Sequence, residues 1–274
     1  MTDFGAGGDL VILVIVSFVP AMIYLSWIRR TERYGTESWG PLLRAFVYGA
    51  IFATITAAVL ETIIVSAGTA ISQNYPAPEF VFLNGNSTLG TLFLVIVIAP
   101  LVEEGLKASG VTSYRSSFKQ LADGPVFGAS VGLGFGFFET FLYGVGAYIV
   151  GGLEAGLALI LVRSVSSVLL HGSSTGMFGY GYARSVFKQP GPGTGSYYLV
   201  AVGMHASFNA LASLAALLAI VGVGGIADDA AGVIALLAAV FFAFWAIEHV
   251  RTIIQSTDYP ALLGPPSRPP ARRK

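Results

Sequence analysis

The sequence has no cysteine and very little charge. Without cysteine there is no disulfide scaffold, no Cys-ligated zinc or iron–sulfur centre and no thiol nucleophile. Only 11% of the 274 residues are charged, against about 25% in an average soluble domain, and that scarcity excludes a soluble globular chain. Fifteen basic residues balance fifteen acidic ones, so no surplus of either sign points to nucleic acid as a partner. What is abundant is apolar: 54% of the residues are hydrophobic and the mean hydropathy is +0.73. The chain reads as an all-α, polytopic membrane helical bundle.

A membrane-crossing helix needs roughly 20 mostly apolar residues. Seven stretches qualify, approximately 10–28, 43–66, 89–108, 126–150, 156–182, 198–221 and 231–249. The first carries Asp3 and Asp9 in place of a basic leader and runs on at spanning length, so it reads as a span and not as a cleaved signal. Cations set the orientation. Arg29, Arg30, Arg33 and Arg44 occupy the first connection, Arg115 and Lys119 the third, Arg184 and Lys188 the fifth, and Arg251, Arg268, Arg272, Arg273 and Lys274 the end. The connections between them, 67–88, 151–155 and 222–230, hold no Lys or Arg. This alternation puts the amino end outside and the carboxyl end in the cytoplasm. The expected location is the cell membrane, a prokaryotic plasma membrane, with membrane lipids as partners. Residues 1–255 form one transmembrane domain with its catalytic core at about 95–215, and 256–274 a disordered basic cytoplasmic tail near anionic headgroups. The segment Gln73–Thr88, with Pro76, Pro78, Asn84, Gly85 and Asn86, reads as an external loop.

Ionisable groups inside spans cost about 2.5–3.5 kcal/mol each at mid-helix, and are functional candidates by default. The third span contains Glu103, Glu104 and Lys107, the fourth Phe135 and Glu139, the fifth Arg163 and His171, and the sixth His205 and Asn209; Glu61 and Glu248 lie near span ends. Adjacent helical residues point about 100° apart, so at most one of Glu103 and Glu104 faces a given centre squarely. Lys107 is within ion-pair reach of either. Together the three either end the span at the surface or provide a general base with its supporting charges. Glu139 has no partner in its own turn and either pairs with Arg163 or does chemistry while Arg163 pairs with Glu61. His171 is followed by Gly172, Ser173, Ser174, Thr175 and Gly176, small enough for close helix approach. His205 and Asn209 share one helix face, and Asn209 either stabilises an oxyanion or locks helices together. Gly124, Gly128, Gly132 and Gly136 recur every four residues, a ridge that lets backbones approach closely.

Carboxylates, imidazoles and an amide remain as the reactive set. Two His and one Glu match a catalytic zinc shell with an open position for water. A further carboxylate could take that water's proton, and an amide could steady the oxyanion. The chemistry described is amide hydrolysis inside a membrane.

The pattern Glu103-Glu104-x-x-Lys107, Phe135-x-x-x-Glu139, His171 amid small residues, and His205-x-x-x-Asn209 resembles the PrsW family of intramembrane metalloproteases, itself similar to the group of CAAX-processing prenyl-protein endopeptidases. The resemblance spans about 100–210. It implies proteolysis of membrane-associated protein or peptide substrates, by analogy site-1-type cleavage of anti-sigma factors. It also implies catalytic roles for Glu103, Glu104, Glu139, His171 and His205. Glu139 stands where the prenyl-protease branch has His, and Lys107 where it has Arg, departures that fit PrsW and weaken a CAAX substrate. On this reading Glu103 is the general base, supported by Glu104; Glu139, His171 and His205 hold zinc, and Asn209 stabilises the oxyanion.

Depth is the difficulty. Counted from the expected helix ends, Glu103 lies about 6–8 Å in and Glu139 about 20 Å in, levels that meet only if the fourth helix starts early, near Gly124. A proton- or ion-coupled transporter is the competing class, since buried Glu and His also mark ion pathways, though no inverted repeat is evident. A silent scaffold for membrane proteins is a third.

Overall fold

The apolar runs fold into helices, and no strand occurs among the residues that the computed structural model describes, 5–75, 77–220 and 226–259. In chain order the helices are α1 (Gly5–Arg29), α2 (Trp39–Asn74), α3 (Thr88–Ser113), α4 (Asp123–Ser164), α5 (Ser167–Val186), α6 (Thr194–Ala212), α7 (Leu214–Ile220) and α8 (Ile226–Thr257). Among the described residues, five stretches are long and apolar enough to cross a membrane: α1, α2, α3, the joined Asp123–Val186 and Ala230–Thr257.

Two of the expected spans, 126–150 and 156–182, fall inside Asp123–Val186. Gly152 separates them with φ +76°, a left-handed conformation that a side chain resists. The chain folds back there, so that Gly144 meets Ile160 and the two limbs lie side by side. The sixth expected span is divided at Ser213, between α6 and α7. The segment expected as an external loop holds a 3₁₀ turn, Pro78–Leu83, and Ser87 caps α3 by accepting the Gly90 N–H at 3.0 Å. Most of the expected basic tail, 260–274, lies outside the described residues.

The glycine ridge does what its period suggests. Gly124, Gly128 and Gly132 of α4 back onto the carbonyls of Gly179, Thr175 and His171 of α5, where any Cβ would collide. The helix bearing His171 is thereby drawn against the helix bearing Glu139. Gly49 and Gly134 make the same close approach between α2 and α4, against the carbonyls of Val131 and Phe46. Two π-helical turns interrupt the regular winding, Tyr48–Ala53 in α2 and Leu94–Ile98 in α3.

The cation-bearing connections meet at one end of the bundle. Asp258, just past α8, accepts the N–H groups of Arg33 and Tyr34 and the Gln120 side-chain amide. Glu37 pairs with Lys119 at 3.2 Å, and Asp123 accepts the N–H groups of Lys119 and Gln120. Glu32 is buried here; its Oε2 accepts the Glu37 N–H at 2.9 Å and its Oε1 has no partner. Burial, and after it the charges of Asp123, Glu37 and Asp258, push the Glu32 carboxyl up to about 8, against the lowering effect of the Glu37 N–H. Its folded form therefore favours the proton. Below the ordinary value of 4.5 that preference contributes its full stabilisation, which is lost as pH rises toward about 8. Glu32→Gln is expected to flatten this decline, read as the difference in thermal midpoint between variant and parent across the same pH range in detergent. An unchanged slope would overturn the assignment.

Candidate metal centre

Four helices bring the polar residues of the spans to one place. Lys107 is wholly buried at its middle, 2.8 Å from Glu104, 3.4 Å from Glu103 and 2.9 Å from His171 Nδ1. Its ammonium also lies over the Phe135 ring at 4.2 Å, and that ring flanks His171 with centroids 5.0 Å apart. Phe135 is thus a floor for both cation and imidazole. Glu104 faces away from the cavity: its oxygens accept from Ser174 at 3.1 Å and Thr175 at 3.4 Å, and Oε1 lies 3.0 Å from His205 Nδ1. The reading of these groups as a charged end to the span is overturned by their burial and by α3 running on to Ser113.

Helix length narrows the depth difficulty, and the His171 ring spans the remainder, 4.0 Å from Glu103 by Nδ1 and 2.8 Å from Glu139 by Nε2. α4 begins at Asp123, as convergence required, and α3 extends beyond its expected end, so Glu103 lies about 15 Å from its helix terminus and Glu139 about 24 Å. Cβ atoms tilt toward a helix's amino end. On α3 and α4, which run in opposite senses, this draws the two side chains toward a common level.

Around Glu103 the imidazoles are disposed alike. His171 Nδ1 lies 4.0 Å and His205 Nε2 3.9 Å from Glu103 Oε2, and the rings stand edge to face at 4.8 Å. Each far nitrogen meets a carboxylate: His171 Nε2 at 2.8 Å from Glu139 and His205 Nδ1 at 3.0 Å from Glu104. Glu103, His171 and His205 each offer a ligand atom within 4.8 Å of the other two, the one such group among the described residues. A tetrahedral shell with 2.0–2.2 Å bonds spaces its ligands about 3.3–3.6 Å apart, so the two Glu103–imidazole distances must shorten by about half an ångström and the widest ligand pair, up to 4.8 Å, by about 1.3 Å. Carboxylates behind both imidazoles are the support a metal-binding His requires. Lys107 stands close to His171 Nδ1, and a cation bound there requires the ammonium to lean back onto Glu104. With that movement the donor set fits a divalent metal.

Glu139 Oε2 receives both Arg163, at 2.6 Å, and His171, so the Arg163 pairing lies with Glu139 and not with Glu61. Both contacts fall on one oxygen. Arg163 also donates to Ser167 at 2.9 Å across the break between α4 and α5 and stacks on Tyr143 at 4.1 Å. Asn209 donates to the Val95 carbonyl at 2.8 Å, inside the π-helical turn of α3, so it does lock helices together; one amide proton remains.

Glu103, Glu139, His171, His205 and Asn209 line a cavity of about 280 Å³, with Phe135, Leu142, Phe208 and the π-turn residues Leu94 and Val95 as apolar walls. Sequence reasoning missed Glu61 as a lining residue. It lines the same cavity, and its Oε1 is buried with no partner. Its signal, an acid in an apolar run, was visible; which side of α2 faced the cavity was not. Ser174 and Thr175 were noted only for their size, although three and four residues beyond His171 they share its face.

The chain matches the family described as PrsW family intramembrane metalloprotease over residues 37–247. Among curated proteins it is similar to Protease PrsW of Clostridioides difficile (strain 630), 28% identical over 134 residues, 48% of this chain and 50% of the relative. The chain thus aligns with half the length of that relative. No solved structure matches.

Proposed function

The chain belongs to the PrsW family of intramembrane metalloproteases, and from that premise we propose that it hydrolyses peptide bonds of membrane-associated proteins in the cavity lined by Glu103, His171 and His205. The observation that carries this reading is the convergence of one carboxylate and two imidazoles, each imidazole supported by a second carboxylate, in a cavity between membrane helices. The distances favour a division of labour different from the one expected from sequence. Glu103, His171 and His205 would hold the cation, zinc being the best fit to the donor set. When bound, it supplies Lewis acidity toward a carbonyl oxygen and acidifies a water at its open position to a pKa of about 7.

The chain's own groups do the rest. Glu139 Oε1, free of both contacts that Oε2 makes, takes a proton from the attacking water and returns it to the leaving amine nitrogen. Arg163 and His171 Nε2 fix Glu139 in place through Oε2. Glu104 holds His205 in one tautomer through Nδ1, and Ser174 and Thr175 hold Glu104. The second amide proton of Asn209 is the donor to the oxyanion. The unpartnered Glu61 oxygen accepts from a peptide N–H of the bound segment. Single-span proteins of a prokaryotic plasma membrane, anti-sigma factors among them, are the substrates proposed by resemblance.

Chelator-treated protein is expected to lose cleavage of single-span test proteins and to regain it when zinc is restored, followed by product appearance on gels. Cleavage indifferent to chelation would remove the metal from the reaction. Metal-independent solute flux into proteoliposomes would favour the carrier reading instead.

A further inference from the structure

Away from the cavity, α1 and the residue that follows it present one face made of two stripes at four-residue spacing, Phe18-Met22-Ser26-Arg30 and Val19-Ile23-Trp27. With Phe244 of α8 this face walls a groove of about 760 Å³, within the usual size of a ligand site. Its character changes along its length. Phe18, Val19 and Ile23 are exposed and apolar at one end, while Ser26, Trp27 and Arg30 lie at the other, on the end of the bundle where the cation-bearing connections meet. From Phe18 to Arg30 the helix rises about 18 Å, close to one leaflet of a hydrocarbon core about 30 Å thick. An indole at that depth marks the level of the headgroups.

The cations at this end are not equivalent. Arg29 stacks on Trp39 at 4.9 Å and donates to the Glu37 carbonyl. Arg251 stacks on Trp27 at 4.1 Å and pairs with Glu248 at 2.8 Å. The guanidinium of Arg30 is exposed and has no side-chain partner among the described residues. A second apolar groove on α1, lined by Leu10, Val11, Val14 and Ile15, encloses about 210 Å³ and has no polar group at all. Bulk lipid tails satisfy that one. An open apolar groove that ends on an exposed, unpaired guanidinium suits a ligand with a long hydrocarbon chain and an anionic head.

We propose that this groove is a binding site for an anionic phospholipid, its acyl chain along Phe18 and Ile23 and its phosphate on Arg30 and the Ser26 hydroxyl. A zwitterionic lipid brings its own ammonium to the same place and forfeits the net attraction. One surface cation favours an anionic lipid roughly fivefold.

Native mass spectrometry of the full detergent-purified chain, titrated with phosphatidylglycerol or phosphatidylcholine, tests this without reference to cleavage. One phosphatidylglycerol is expected to be retained roughly fivefold in preference, and Arg30→Gln to bring the preference near unity. Met22→Trp, which fills the groove, is expected to lower retention of both lipids, while thermal midpoints report that each variant is folded. Equal retention by the parent, a preference surviving Arg30→Gln, or a dimer held through this face would each overturn the proposal.

Discussion

Glu103→Gln is expected to strip the protein of metal and cleavage together, whereas Glu139→Gln weakens the metal only in part and loses the cleavage even at saturating metal. The first follows from Glu103 Oε2 standing 3.9 and 4.0 Å from the two imidazole nitrogens that would complete a shell. An amide is a poor substitute for an anionic oxygen toward a divalent cation, so the metal content should fall from one equivalent toward none. The second follows from Glu139 lying on the far side of His171, where both of its contacts use Oε2. Removing a proton acceptor costs about 10²–10⁴ in rate without removing a ligand. Glu104→Gln and Glu139→Gln each lose the support behind a metal-binding His, which weakens affinity about 10–100-fold, and only Glu139→Gln is expected to stay inactive once metal is saturating. Metal analysis of purified variants beside a cleavage assay separates the cases. If Glu103→Gln retains its metal and Glu139→Gln loses it, the roles revert to those expected from sequence. Full activity in both would place the reaction elsewhere.

Lys107→Met is expected to destabilise the bundle strongly. The ammonium is wholly buried between Glu104, Glu103 and His171 Nδ1 and lies over Phe135. Methionine fills much of the same volume, so packing is largely kept while Glu104 loses the one full positive charge that lies within ion-pair distance among the described residues. Breaking a buried pair by removing one partner costs about 3–5 kcal/mol, and removing both partners recovers much of that. The double variant Lys107→Met with Glu104→Gln is therefore expected to be more stable than Lys107→Met alone, a coupling that unfolding titrations in detergent can measure. If the single variant unfolds like the parent, Lys107 is not the charge that makes the two glutamates tolerable.

Several parts of the site were legible residue by residue. Glu139 stood out because nothing within its own turn could pair with it, and His171 because five small residues follow it. The ridge Gly124, Gly128, Gly132 announced a close helix contact by its period, and α5 is the helix it meets. The Arg163 pairing was open between two acids, and length along the chain could not decide it. Glu61 is 102 residues from Arg163 and Glu139 is 24, yet the choice belongs to the fold-back at Gly152 that sets Arg163 beside Glu139.

The amino-acid sequence by itself determined that this is a helical membrane protein with ionisable groups buried in it. A bilayer tolerates so few charges that each one inside an apolar run is conspicuous, whatever the fold. Only the tertiary structure decided which carboxylate stands with the imidazoles and which stands behind them. Glu103 and Glu104 are neighbours in the chain but point about 100° apart, so helix rotation turns one toward the cavity and the other toward Ser174, Thr175 and His205 Nδ1. That rotation is set by packing across many residues, among them glycines pressed against carbonyls of the next helix, and no local motif carries it.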